Sequence, residues 1–402
     1  MFRLRKKNDL ALGGILFLIY WLAKPFYLFP SGEMQIGDII MCIAVVITVL
    51  MSLKIEIKKV DIKFIVFCVF VAFINVGYYT WFDDTEFIKA ILFFVFNMMG
   101  ILLFRYWGKS NTFLRAVRIC SFINIIVQVI ILFSGHGRLY GSLRYKGTFN
   151  DPNQFAFFVF CMFLFVYLIT VYMKDKRFIK DILFISSFFI SLYLIIISGS
   201  AGNLLGILVF SAMLLFQVSK DYRNKVFLFL GTLIFSLIVA LMFIQWDELM
   251  HNMYRFFGNK NIISRIIQKI AYFLNGEGVG IFLTDRNLDI IVKYPEYCLW
   301  GAGDGIWERF PIGGYVNGGE IHSTFPALLF SYGVVPFFVI CSWIRSNLKK
   351  SNTYSYIAII ALVVESMTLV NHRQTIFWLI FVMASLCKKY VRDTETNCES
   401  TY

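Results

Sequence analysis

The sequence predicts an all-α polytopic membrane protein with about 12 transmembrane helices and a long outer loop that contains short amphipathic helices. Hydrophobic residues make up 59% of the 402 and charged residues only 16%, whereas soluble domains are typically about a quarter charged. The mean hydropathy is +0.71. Apolar runs of about 18–22 residues recur along the chain, and only helices or closed barrels satisfy the backbone in lipid. Runs this long and apolar predict helices.

Twelve predicted spans follow one another along the chain. The first comes after MFRLRKKND and has no small-residue cleavage site behind it, so it is predicted to be a retained span and not a signal peptide. Residues 1–402 are predicted to form a single integral membrane domain, in which residues 246–322 make the large outer loop. The spans are predicted at about residues 10–29, 37–53, 64–82, 88–104, 114–133, 153–173, 182–198, 201–218, 226–245, 323–343, 354–370 and 375–387.

The distribution of Lys and Arg predicts the orientation of these spans. If the N-terminus is cytoplasmic, the inner segments carry 25 of the 38 basic residues. Short basic loops stay in the cytoplasm, so both termini are predicted to be cytoplasmic. The net charge of +13 is mostly explained by this asymmetry and requires no nucleic-acid partner.

The segments predicted to face outward concentrate polar chemistry. They are residues 134–152, a tight SGSAG turn near 198–202, the long loop 246–322, and NHRQ at 371–374. All four histidines fall in them: His136, His251, His322 and His372. Cys298 is the one cysteine in these loops, so no intramolecular disulfide is predicted there.

Two helices are predicted within the long loop. IISRIIQKIAYFL, at 262–274, has apolar residues at helical spacing with Arg265 and Lys269 on the opposite side, as in a helix lying on the membrane surface. Those two cations could serve only to contact anionic lipid headgroups. TDRNLDIIVKYPEY, at 284–297, predicts a second helix with Thr284 as its N-cap, and GAGDG at 301–305 ends it.

Several chemistries find no support in the sequence. No histidine pairs with another ligand at metal spacing, so no metal site is predicted. Neither a GxSxG elbow, nor a P-loop, nor the aspartate-rich motif of nucleotide-sugar transferases is present, and no cofactor is predicted. Glu365 lies inside a predicted span, where an ionisable group is either functional or paired, with Arg373 as its neutralising partner.

Four segments together resemble the O-antigen ligase/polymerase superfamily. GTFNDPNQFA at 147–156 is similar to its glycine–aromatic–Asn/Asp–Pro–Asn signature, and SGSAGNLLG at 198–206 to its small-residue turn. DRNLDIIVKYPEYCLWGAGDG at 285–305 resembles its Arg-to-glycine element, and HSTFPALLFSYGVVPF at 322–337 its histidine element. The order matches as well. The family turn often carries Arg after the serine, whereas this chain has Ala201, so Arg138 or Arg144 would supply that role.

The resemblance implies a metal-independent glycosyltransferase of the GT-C type, a multi-pass protein of the bacterial inner (cytoplasmic) membrane that acts at its outer face. Its donor would be an oligosaccharide on undecaprenyl diphosphate. As a polymerase of O-antigen or another surface polysaccharide it would use a lipid-linked repeat unit as acceptor, whereas as a ligase it would use lipid A–core. Membrane lipid would be a partner, and a chain-length regulator is a further partner that the resemblance allows.

Two other classes stay open at this point. A lipid-linked oligosaccharide flippase or other transporter should show paired halves with interrupted helices, and the sequence shows no such symmetry. A purely structural membrane scaffold would not need a loop rich in Gly, Arg and His.

The resemblance also implies roles for particular residues. Arg286, with Arg138 or Arg144, would grip the diphosphate through the planar guanidinium, and Arg265 is a rival for this role. Asn153 of the first motif and Arg373 of NHRQ are further candidates for substrate binding.

His322 and Glu320 are, with Arg286, the candidate catalytic residues. Histidine titrates near pH 6.5, so His322 could take the proton of the acceptor hydroxyl or, as imidazolium, stabilise the leaving diphosphate. Glu320 would orient the imidazole or hold its proton. Position alone equally allows His322 to be an interfacial residue that anchors a helix end.

Overall fold

The computed structural model describes residues 11–30, 33–52, 57–140, 144–222, 283–284, 286–310, 319–349 and 351–398. Over these residues the chain is almost entirely helical, as predicted. The α-helices are α1 (Leu12–Ala23), α2 (Ile36–Ser52), α3 (Lys59–Phe82), α4 (Glu86–Trp107), α5 (Asn111–Phe133), α6 (Pro152–Lys174), α7 (Ile182–Ser198), α8 (Ala201–Tyr222), α9 (Asp289–Lys293), α10 (Tyr297–Trp300), α11 (Thr324–Tyr332), α12 (Val334–Leu348), α13 (Thr353–Ser366) and α14 (Thr375–Cys398).

Within the described ranges, five helices are long and apolar enough to cross a membrane, namely α3, α4, α5, α6 and α8. Six further apolar helices are shorter.

The prediction for 10–29 was too long, because α1 ends at Ala23 and Pro25 follows. Proline has no backbone N–H to continue the helical hydrogen bonding, which explains an end just before Pro25. The predicted span 226–245 and the predicted surface helix 262–274 with Arg265 lie outside the described residues.

Helix α6 lies at the centre of the bundle. In its most apolar window 94% of the residues are buried, compared with 28–44% in the other four long helices. It packs against α5, α7 and α14, with edge-to-face aromatic contacts such as Phe163 with Phe210 on α8, whose centroids lie 4.9 Å apart. The other long helices therefore expose apolar faces on the outside of the bundle. The central position of α6 fixes the loop that precedes it at Pro152.

The single span predicted over 323–343 is interrupted in the structure. Gly333 has φ +77° and separates α11 from α12. A side chain is excluded there, because a Cβ on Gly333 would lie 2.5 Å from the carbonyl oxygen of Leu299. Periodicity and hydropathy run evenly through this segment, so only a left-handed glycine could have indicated the break.

The GAGDG loop completes the hydrogen bonding of the interrupted helix. Backbone N–H groups of Ala302 and Gly303 donate to the carbonyls of Phe330 and Ser331 at 2.9 and 2.8 Å. Those carbonyls stand in the last turn of α11, where helical partners are lost. Irregular backbone next to a membrane is tolerated when protein satisfies it, and this loop does so.

The helix predicted over 284–297 is wrong in extent. The structure has two short helices there, α9 and α10, with Pro295 between them. The N-cap of α9 is Leu288 and not Thr284, because Asn287 has φ +52° and interrupts the helical backbone. The helix is shorter than predicted because of local backbone conformation, which the apolar periodicity does not indicate.

A buried arginine connects four helices at the end of the bundle opposite the loops described below. Arg105 of α4 donates from Nε to Asp61 of α3 at 2.8 Å. Its two terminal nitrogens donate to Asn347 of α12 and Ser385 of α14. Trp343 adds a hydrogen bond to the same Asp61 carboxylate at 3.4 Å. The cluster, here called the Arg105 cluster, is closed and almost fully buried.

Candidate functional site

Arg138 and Arg144 lie on two short strands that pair with each other. Strands β1 (Arg138–Tyr140) and β2 (Arg144–Gly147) pair antiparallel; β1 is exposed throughout, whereas β2 packs against α6 and α7 and is mostly buried. Arg144 is 7% exposed and donates to the Ser198 carbonyl at 2.8 Å and to Asn153 Oδ1 at 2.7 Å. Arg138 is exposed and bonds the backbone carbonyl of Thr148. Arg144, and not Arg138, therefore reaches the interior.

The Asp–Pro–Asn sequence that follows is the start of α6. The Asp151 carboxylate accepts the backbone N–H of Asn153 at 2.7 Å and that of Gln154 at 3.3 Å, which is the geometry of a helix N-cap. Pro152 occupies the first helical position, where proline needs no donor. This cap holds the Asn153 amide against Arg144.

The SGSAG segment forms a tight turn between α7 and α8. Gly199, with φ +63°, ends α7, and α8 begins at Ala201. Gly202 must be glycine, because a Cβ there would overlap the hydroxyl of Thr368. The close approach places the N-terminus of α8, with its partial positive charge, beside the chain that follows α13.

A cavity of about 90 Å³ opens where these elements meet. Arg144, Arg286 and the first residues of α8 border it, and arginines and helix N-termini are groups that bind anions. Three residues predicted for the site, Arg144, Asn153 and Arg286, are thereby brought together. The cavity is lined by Arg144, Asn153, Gly199, Ser200, Ala201, Gly202, Arg286, Thr368 and Leu369.

Two hydrogen bonds tie the Arg286 segment to the His322 segment. The backbone N–H of His322 donates to the Arg286 carbonyl at 2.9 Å, and Asn287 Nδ2 donates to the Glu320 carbonyl at 2.8 Å. The His322 side chain keeps an exposed face, yet the protein atoms around it lower the pKa of its imidazole, while the Glu320 charge opposes this shift. His322 is therefore held against the Arg286 segment, mainly in its neutral form near pH 7, although neither His322 nor Glu320 lines the cavity.

Arg373 lies between two carboxylates. Its Nη2 is 2.6 Å from Asp304 Oδ1 and 2.7 Å from Glu320 Oε1. Asp304 is 3% exposed and also accepts the Tyr332 hydroxyl at 3.2 Å. Burial alone would raise the pKa of Asp304, but Arg373, with His372 nearby, outweighs it and holds that pKa well below its usual range. Arg373 thus connects Glu320 to the GAGDG loop and is not among the residues lining the cavity.

The pairing of Glu365 with Arg373 is wrong. Glu365 is completely buried, and its Oε2 accepts Asn371 Nδ2 at 2.7 Å and the Ser366 hydroxyl at 3.3 Å. Arg373 contacts Asp304 instead. The two residues were paired because they are near each other in sequence. In the structure, the GAGDG loop places the Asp304 carboxylate against Arg373 instead.

Asp304 and Arg309 are the residues that sequence reasoning missed. Arg309 lies over four aromatic rings at 4.7–5.3 Å from their centroids: Tyr78, Phe82, Phe87 and Phe310. Such cation–π contacts hold the loop against α3 and α4. An acid within a glycine-rich loop was the available signal for Asp304. The aromatic cage had none, because Tyr78, Phe82 and Phe87 lie far from Arg309 in sequence.

Over the described part of the chain, no group of three or more His, Cys, Asp or Glu side chains gathers in a way that could hold a metal ion. No family model, curated protein or solved structure matches this chain. The resemblance of its four segments to a superfamily therefore stays a hypothesis, and the geometry of the cavity is the new observation that bears on it.

Proposed function

We propose that this protein is a metal-independent membrane glycosyltransferase, a surface polysaccharide polymerase. It transfers a glycan from undecaprenyl diphosphate onto a lipid-linked repeat unit at the outer face of a bacterial inner membrane. One observation carries the proposal. Arg144 and Asn153 lie close together in sequence and Arg286 lies far from both, yet all three line one cavity at the N-terminus of α8.

The chemistry of such a transfer suits these groups. The acceptor hydroxyl oxygen attacks the anomeric carbon of the donor sugar, and the bond from that carbon to the diphosphate oxygen breaks with its electron pair on the diphosphate. Arg144, Arg286 and the α8 N-terminus would stabilise this developing negative charge. The proton lost by the hydroxyl would pass to His322, whose lowered pKa leaves the imidazole neutral and able to accept it.

The polar lining favours the headgroup of the donor over its prenyl chain. A lipid diphosphate needs cations for its phosphates and an apolar surface for its tail. Helix α7 ends at the SGSAG turn, which borders the cavity. It exposes an apolar stripe at helical spacing, and this supports binding of the prenyl chain from the membrane side. The stripe consists of Ile182, Ile185, Phe189, Tyr193 and Ile196.

The mechanism requires the cavity to face outward. Reporter fusions after Lys180 and after Tyr390 should report the cytoplasm, and a fusion within 275–320 should report the outer side. A cytoplasmic signal from 275–320 would contradict the proposed site of action, since the finished glycan and its lipid carrier would then be on the opposite side.

The interruption at Gly333 favours a second candidate function, transport, because transporters often build substrate sites from broken helices. In transporters the freed backbone groups coordinate cargo. Here the carbonyls of Phe330 and Ser331 accept hydrogen bonds from Ala302 and Gly303. The break is closed by protein, so catalysis at the arginine cavity remains the first candidate.

A reconstituted reaction tests the proposal. Purified protein in nanodiscs receives lipid-linked repeat units in excess chelator, and the products are separated on a gel. A ladder of longer chains is expected, with none from the double variant Arg144→Ala/Arg286→Ala. Transfer only after lipid A–core is added would indicate a ligase. Movement of the lipid across vesicles without a new glycosidic bond would indicate a transporter and contradict the proposal.

A further inference from the structure

Asn287 stands between two candidate catalytic segments in an unusual backbone conformation. Its φ is +52°, and among the described residues only Asp83 and Ile306 share a positive φ without being glycine. Asparagine tolerates this conformation better than most residues, although glycine adopts it most easily. Backbone conformation alone would favour glycine at this position, so the asparagine side chain is expected to have a role of its own.

The Asn287 side chain makes a specific long-range contact. Its Nδ2 donates to the Glu320 carbonyl at 2.8 Å, across 33 positions of sequence. The adjacent backbone repeats the connection, because the Arg286 carbonyl accepts the N–H of His322 at 2.9 Å. The two bonds form a clamp that holds residues 286–287 against residues 320–322.

The opposite segment is shaped to receive this amide. A Cβ on Gly319 would overlap Asn287 Nδ2, so the absence of a side chain there leaves the room that the amide occupies. Glu320 is in turn held by Arg373 at 2.7 Å, and Arg373 by the buried Asp304 at 2.6 Å. The clamp is thus supported from its far side by an ion-pair network.

We propose that Asn287 is a positioning residue that fixes Arg286, which lines the cavity, in register with His322. This inference rests on the proposed function, because the register matters only if those two groups act on one substrate. A misplacement of about 1 Å in a reacting group can lower a rate about 100-fold. Loss of the clamp should therefore slow the transfer step more than it weakens donor binding.

The experiment compares Asn287→Gly, Asn287→Ala and Gly319→Ala in purified full-length protein. Asn287→Gly keeps the left-handed backbone and removes the amide, whereas Gly319→Ala displaces the amide without changing residue 287. Asp83→Gly is the matched control, because Asp83 has φ +53° at the end of α3 and its side chain takes no part in the clamp. We expect kcat to fall about 10- to 100-fold in the first three variants, with the donor KM within about threefold of wild type and Asp83→Gly unchanged.

Hydrogen exchange supplies a readout that is independent of activity. The backbone amide of His322 should exchange about tenfold faster or more in Asn287→Gly and Gly319→Ala, as expected when a local hydrogen-bonded unit opens more often. Unchanged exchange in both variants would overturn the clamp. Normal kcat in Asn287→Gly together with a loss in Asn287→Ala would show that Asn287 serves backbone conformation alone, which also overturns the proposal.

The two proposals fail in different ways. A wild-type protein without transferase activity would contradict the proposed function, and with it the catalytic purpose of the clamp. The exchange measurement on His322 would still decide whether Asn287 holds the two segments together.

Discussion

Two regions of the described chain, each with arginines among several elements, differ in what surrounds the guanidinium groups. In the Arg105 cluster, Arg105 meets Asp61, Asn347 and Ser385 in a closed, packed environment. In the cavity at the N-terminus of α8, Arg144 and Arg286 border a space of about 90 Å³. Both regions collect cations inside a largely apolar bundle, but only one leaves room for another molecule.

The difference separates two uses of buried charge. A buried ion pair with all its partners in place holds helices in register, and its net contribution to stability is small compared with the penalty for removing one partner. Arginines that border an open space can instead contact an anionic ligand that enters it. Variants in the two regions should therefore affect different measurements.

The largest effect is expected at His322, which is hydrogen-bonded to the Arg286 segment that reaches the cavity. His322→Ala should lower the transfer rate about 100- to 10,000-fold, the usual contribution of a general base, while expression stays normal. Because the folded pKa is lowered, the neutral base forms as pH rises through a value below about 6.5, so activity should increase with pH across that range. Activity that falls instead would assign His322 the role of a cation, and a normal chain-length ladder from His322→Ala would leave it as an anchor.

Arg286 should show nearly as large an effect on activity without an effect on the fold. Arg286→Ala should slow transfer about 100- to 1,000-fold, the usual result of removing one donor that stabilises developing charge. Arg286→Lys should recover little, since lysine lacks the planar fork. The matched control is Arg115→Ala, an exposed arginine on α5. Equal losses in Arg286→Ala and Arg115→Ala would remove the distinction drawn between the cavity and other cationic positions.

Arg105 should show the reverse pattern, with stability lost first. Arg105→Ala leaves Asp61 buried without its cation, which typically destabilises a protein by about 3–5 kcal/mol. Denaturant titration of the detergent-solubilised protein measures this change. The double variant Arg105→Met/Asp61→Asn removes both charges and should recover most of the loss. A single variant that melts normally but transfers poorly would place the Arg105 cluster in the catalytic machinery.

Asp304 should give the smallest effect, and one that depends on pH. Its folded pKa lies below the unfolded value of about 3.9, so its contribution to stability is present above that value and is lost as the pH falls. Wild-type stability should therefore drop by up to about 1.4 kcal/mol per pH unit from this group on acidification below pH 4.

Asp304→Asn should abolish that acid dependence. It should also cost about 1–3 kcal/mol at pH 7, because Arg373 loses one of two carboxylates and keeps Glu320. Melting curves at several pH values measure both effects. An unaltered acid slope in the variant would show that other carboxylates produce it.

The sequence determined the helical class and the positions of most helices, because lipid-length apolar runs have few alternatives to the α-helix. Helices are confirmed in the described residues, while the count of 12 spans stays a prediction. The sequence also drew attention to Arg144, Asn153 and Arg286, although nothing in their spacing showed that they line one cavity. The three predictions of backbone detail, at α1, α9 and Gly333, were wrong because a proline or a left-handed residue changes local conformation without disturbing hydropathy.

Tertiary structure decided which polar groups meet. Arg138 and Arg144 are equivalent in sequence, but β1 lies exposed while β2 packs against α6 and α7, so Arg144 alone is buried. Arg373 was predicted to neutralise Glu365, yet the GAGDG loop caps the break after α11 and thereby delivers Asp304 to Arg373. Hydropathy and motif spacing act over short stretches of chain. Which charge finds which partner depends on the path of the backbone between them, and here that path is set by how the loops pack around α6 and α11.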